Sequence, residues 1–119
     1  MELPSKELMS EVFGVEVLYC KVLDNTLSYQ TKDNYPTQAI NIYEFAHKCK
    51  ELAMRLKKEP YIIESSYEHF THEGIMYAIC RVYHNGDMVW NNFGSEFIEE
   101  YHTEPEAIFK ACEWIMNNA

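Results

Sequence analysis

The stretch 37–58, TQAINIYEFAHKCKELAMRLKK, constrains this chain more than any other part of it. Ile42, Phe45, Ala46, Cys49, Leu52, Ala53 and Leu56 recur at steps of three and four, which puts all of them on one face of a helix. Glu44, Lys48, Glu51 and Arg55 fall on the opposite face, with Glu44/Lys48 and Glu51/Arg55 at the favourable i,i+4 offset. Two N-terminal caps compete: Thr37 after Pro36, or Asn41 with Glu44 three residues later. Lys57 and Lys58 suit the last turn, and Pro60 ends the helix. A helix this amphipathic needs an apolar surface to lie on, so the rest of the chain is expected to supply a sheet.

The segments around it read that way. Ser5 caps a short opening helix whose apolar edge is Leu8, Val12 and Phe13, and Gly14 stops it in the position where a left-handed residue is usual. VEVLYCKVL, the turn residues Asp24 and Asn25, and TLSYQT read as a first hairpin. After the polar loop 32–36 and the central helix, YIIESSYEHF, THEG, IMYAICRVYH, Asn85-Gly86 and MVWNNF read as a three-strand antiparallel meander. Asn-Gly favours a tight hairpin turn because both residues accept positive φ. The middle strand carries Met76, Ala78, Cys80 and Val82 on one side and Ile75, Tyr77, Ile79, Arg81 and Tyr83 on the other. Two largely apolar rows place it centrally, covered on much of both faces. Thr103 with Glu106 forms a capping box for a closing helix whose buried stripe is Ile108, Ala111, Cys112 and Ile115. The expected fold is a single α+β domain over 1–119, with an antiparallel sheet (the meander plus the N-terminal hairpin) packed with a central and a C-terminal helix in a layered sandwich.

Length and composition agree. At 119 residues and 47% hydrophobic content the chain can form its own core. No apolar run approaches the roughly 18 residues of a membrane span, and MELPSKELMSEVFG lacks the basic and apolar regions of a signal peptide. A cytoplasmic location, in the host cell if the chain is phage-encoded, is the resulting expectation. Cys20, Cys49, Cys80 and Cys112 never form a CxxC pair, so they read as reduced thiols rather than zinc ligands, with Cys49, Cys80 and Cys112 on apolar faces. The net charge is −9, and residues 61–119 carry −8 of it. A half-chain of that sign repels phosphate backbones and attracts basic surfaces.

Three strings bear a further likeness. KELMSEVFGVEV is a short helix ended by glycine and followed by an extended segment; YPTQAINIYEFAHKCKEL is a helix entered from a Tyr-x-Thr; TEPEAIFKACEWI is a helix with proline at its entry and small residues along one face. In these the chain resembles the small phage and prophage proteins grouped as the phage ABA sandwich domain. The strings cover about 43 of the 119 residues, and the chain departs from the group in a longer first hairpin and an acidic EFIEEY segment. The resemblance implies a phage-associated origin and a layered α/β arrangement; it brings no catalytic residue.

Chemistry-bearing motifs are few. There is no GxSxG elbow, GxGxxG or Walker pattern, and Gly14, Gly74, Gly86 and Gly94 are dispersed turn residues. His69 and His72, flanked by Glu68 and Glu73, could assemble a metal site if His84 or His102 came near, although polar residues at a hairpin end need no metal to explain them. The strongest anomaly is 96–106, where Glu96, Glu99, Glu100, Glu104 and Glu106 are interleaved with Phe97, Ile98 and Tyr101. One account is a solubilising edge with acids suited to a helix N-terminus. The other is a docking patch of Glu96, Phe97, Glu99, Glu100, Tyr101 and Glu104, in which aromatics anchor and carboxylates steer.

The functional expectation is a non-enzymatic phage-type accessory protein with no cofactor and no catalytic or metal residues. It binds an unidentified protein, one with a basic surface, rather than nucleic acid or membrane; a homodimer is compatible. The alternatives are an acidic mimic of nucleic acid that inhibits a host nucleic-acid-binding enzyme and, more remotely, a His/Glu metal-site hydrolase.

Overall fold

The computed structural model of the chain describes residues 3–32, 37–70, 75–92 and 103–118. Helix α1, Lys6–Phe13, begins where the Ser5 side chain accepts from Leu8 N and ends where Gly14 turns left-handed at φ 72°. The chain then runs through β1 (Val17–Leu23) and β2 (Thr26–Thr31), reversing at Asp24 with φ 56°, to pair antiparallel from Val17↔Thr31 to Leu23↔Thr26. A bulge lies between Val17 and Tyr19, and from Cys20 to Leu23 the pairing is regular.

The hairpin acquires a third member that the periodicity did not suggest. Gln38–Asn41 is strand β3, paired antiparallel to β2 from Tyr29↔Gln38 to Thr26↔Asn41. Helix α2 is accordingly Ile42–Arg55, and of the two competing caps Asn41 is the one used: its side chain accepts from Tyr43 N and Glu44 N. Lys57 and Lys58 lie beyond the helix rather than in its last turn, because the chain bends from Leu56 to reach the extended conformation that Pro60 imposes on its neighbour. Glu51 sits 3.3 Å from His47 on the preceding turn.

The second sheet is the expected meander: β4 (Tyr61–Phe70), β5 (Ile75–His84) and β6 (Asp87–Asn91), in order β4-β5-β6 and antiparallel throughout. Asn85 and Gly86 both adopt positive φ, 53° and 85°, as the tight turn requires. Ala78, Cys80 and Val82 are buried on one face of β5, and Tyr77 and Ile79 on the other. Strand β6 ends at Asn91. Asn92 then stands in for a further strand residue, accepting from Cys80 N through its side-chain oxygen and donating to Ala78 O through its amide nitrogen.

Helix α3, Glu104–Asn118, starts at Thr103, whose hydroxyl meets both Glu106 N and the Glu106 carboxylate. Helices α2 and α3 pack on each other and on β4, with α3 also against β5, while α1 touches β1, α2 and α3. The described residues form an α+β fold of two three-stranded antiparallel sheets and three helices. One core cluster draws Leu8 and Met9 from α1, Leu27 and Tyr29 from β2, Phe45, Cys49 and Leu52 from α2, Ile63, Cys80 and Val82 from the second sheet, and Ile108, Phe109, Cys112 and Ile115 from α3. Phe13 stacks on Tyr29, and the aromatic line continues through Phe45 to Phe109. No helix among the described residues is long and apolar enough to cross a membrane.

Candidate functional site

Of the six residues proposed for docking, Glu104 lies within the described residues; Glu96, Phe97, Glu99, Glu100 and Tyr101 lie outside them. Glu104 is the first residue of α3, a position that favours a carboxylate beside the unsatisfied N–H groups of the helix start. Its side chain turns toward β4, where Oε1 accepts from the Ser65 hydroxyl at 2.5 Å, and its backbone N–H donates to the Tyr67 hydroxyl at 3.0 Å. Ser65 in turn accepts from Lys50 Nζ of α2 at 2.9 Å.

A lysine ammonium and a glutamate carboxylate are thus bridged by one hydroxyl, and the three residues come from three different elements. Strand β4 supplies the centre because Ser65 shares the inward row of Ile63. Charge-assisted bonds of this kind are stronger than those between neutral groups. Chemically the arrangement holds α2, β4 and the start of α3 in register; the Ser65 oxygen donates to one neighbour and accepts from the other.

Beside this bridge lies a shallow depression of about 170 Å³, lined by Tyr43, Ala46, His47, Lys50, Glu104 and Ile108. A wider cleft of about 560 Å³ opens where α1, the start of β1 and the end of α3 meet. Two of its polar side chains are engaged: the Ser10 hydroxyl donates to Lys6 O and accepts from Val17 N, and Glu16 pairs with Lys32.

Two of the buried thiols, Cys80 and Cys49, are held protonated. Burial pushes Cys80 up to about 12, with Lys50 and Arg81 opposing the shift and Glu104 adding to it. Cys49 is raised well above the usual thiol value, first by burial and then by the adjoining Cys112. A raised thiol carries little thiolate and is a poor nucleophile.

The histidine group does not come together among the described residues. His84 stacks on Tyr61 at 3.9 Å, with Nδ1 3.2 Å from Pro60 O. The His69 side chain, His72, Glu73 and His102 lie outside what is described. Glu68 is paired with Arg81 at 2.9 Å.

The exposed surface offers a different kind of site. On the outer face of the second sheet Ile62 pairs with Tyr83 and Tyr83 with Met88, so the three side chains form one row across three strands. Ile62 and Met88 are 44% and 47% exposed. The next row on that face is Glu64, Arg81 and Asn91. Neither this row nor the Lys50–Ser65–Glu104 bridge was anticipated from the sequence. A usable signal existed for the row alone, since Ile62 stands two residues before Glu64 on the face that should be polar in a one-sided sheet.

Comparison with protein-family models, with curated proteins and with solved structures returned no match for this chain.

Proposed function

We propose that this chain is a non-enzymatic accessory protein of the phage or prophage type, acting through protein–protein contacts on an acidic and apolar surface. One observation carries the reading: Ile62 and Met88, on either side of the half-buried Tyr83, are exposed on a sheet that belongs to the half of the chain with net charge −8. Apolar groups give an interface its affinity, and carboxylates around them speed encounter with a basic partner. The remaining docking candidates, Glu96, Phe97, Glu99, Glu100 and Tyr101, belong to the same half. Glu104 contributes indirectly, by fixing the start of α3 against β4.

The experiment is capture from host lysate followed by kinetics on the captured protein. Changing Glu96, Glu99 and Glu100 together to Gln slows association, most at low salt, and the difference shrinks as the Debye length falls below about 8 Å. Ile62→Ser with Met88→Ser instead raises the dissociation rate. Equal capture and equal kinetics for wild type and both variants would sink the reading. The charge asymmetry also favours a second reading, an acidic mimic of nucleic acid. In that case affinity falls steeply with salt, nucleic acid competes for the partner, and the Ser variants bind as the wild type does.

A further inference from the structure

The geometry points to Cys49 and Cys112 as a latent disulfide, a site of covalent modification at which a peroxide joins helix α2 to helix α3. The two thiols are 63 positions apart in sequence, yet Cys112 Sγ lies 3.5 Å from the Cys49 carbonyl oxygen. Both residues are fully buried. Ala46 and Ala53 on α2, and Ala107 and Ala111 on α3, are buried too, and small side chains let two helix backbones approach closely. Close approach is what a disulfide demands, since its Cα atoms must come within about 7 Å. Cys20 and Cys80 stand on different sheets.

In the closed fold the raised Cys49 thiol is a poor nucleophile, so the reaction belongs to moments when the α2–α3 contact opens. Hydrogen peroxide is the fitting oxidant because it is scarcely larger than water and needs only a small opening to reach the pair. One thiol loses its proton and its sulfur attacks a peroxide oxygen; the O–O bond breaks and hydroxide leaves, taking up that proton as water. The sulfur is left as a sulfenic acid. The second sulfur then attacks the first, the S–O bond breaks, and the departing hydroxide takes the second thiol proton as another water. Two thiols are oxidised to one disulfide while one peroxide is reduced to two waters. The adjoining thiol makes condensation faster than further oxidation to the sulfinic acid.

The bond closes a long loop that contains the second half of α2, all of the second sheet and the start of α3, and cross-links over long loops stabilise most. The test uses the full chain carrying Cys20→Ser, which removes the half-buried thiol of β1 as a source of cross-linked dimers. It is incubated with hydrogen peroxide in sub-denaturing urea, so that the α2–α3 contact opens transiently. Peptide mapping without reductant should find the Cys49 and Cys112 peptides joined with loss of two hydrogens. The melting temperature should rise by about 10 °C and return on adding dithiothreitol. With Cys112→Ala added, peroxide should leave Cys49 as sulfenic or sulfinic acid and produce no rise. The inference is overturned if both thiols of the Cys20→Ser protein end as separate oxyacids, if either pairs with Cys80, or if both stay free while hydrogen exchange shows that α2 and α3 have opened.

Discussion

Single side chains in this protein do their work by what they satisfy in their neighbours. Ser65 is the clearest case, with an oxygen that takes a bond from Lys50 and gives one to Glu104. Replacing it with Ala leaves two half-buried charged groups without their common partner. The expected loss is about 1–2 kcal/mol, the range for hydrogen bonds to charged groups less what direct Lys50–Glu104 attraction restores. Urea denaturation of Ser65→Ala measures it, and an unchanged midpoint would show that the bridge contributes nothing. The buried thiols make a second prediction, about alkaline pH. Cys80 is held up to about 12 in the folded protein, whereas an unfolded thiol ionises near about 8.5. The folded state therefore binds more protons than the unfolded state between those values. The stabilising contribution is complete below about pH 8.5 and is lost as pH rises toward the folded value, by up to about 1.4 kcal/mol per pH unit. Denaturation midpoints should hold steady from pH 7 to 8 and then fall, and the fall should be shallower in Cys80→Ala. A midpoint that stays level to pH 10 would mean that Cys80 ionises freely in the fold.

At the scale of elements, the boundary between β3 and α2 is the point on which the first sheet and the central helix depend together. Asn41 is the last residue of the strand, paired with Thr26, and at the same time the cap whose side chain accepts from Tyr43 N and Glu44 N. Asn41→Ala removes the cap and should cost about 1 kcal/mol, while Thr37→Ala, outside both elements, should cost nothing measurable. Thermal melts of the two variants decide it; the reverse order would place the helix start four residues earlier. This boundary also shows what kind of information the sequence carries. The stripe from Ile42 to Ala53 spans enough turns for its period to be plain, and all of its members are buried. Strand β3 is four residues long, too short for alternation to register, and its stability comes from pairing with β2. The stops at Gly14, at Asn85-Gly86 and at Thr103 were legible because each depends on one residue's own backbone or hydroxyl. The bridge was not, since Lys50, Ser65 and Glu104 meet only after three elements have packed, across separations of 15 and 39 positions.

For the molecule as a whole, the two ends of the described chain close on one another. The Ser5 N–H donates to the Glu113 carboxylate, 108 positions away, and Phe109 of α3 completes the aromatic line begun by Phe13. Helix α3 also covers β4 and β5 and shares the core with α2. This has a bearing on how the protein is born. A ribosome delivers the chain from its N-terminus, at about 5–20 residues per second, so both sheets and the central helix emerge seconds before the helix that shields them. During that interval Phe45, Ile63 and Val82 have no α3 to lie against, and the apolar side of the second sheet faces solvent or a chaperone. Folding here is an event of completion: the nascent chain gains its native core only when the residues through Ile115 are free of the exit tunnel.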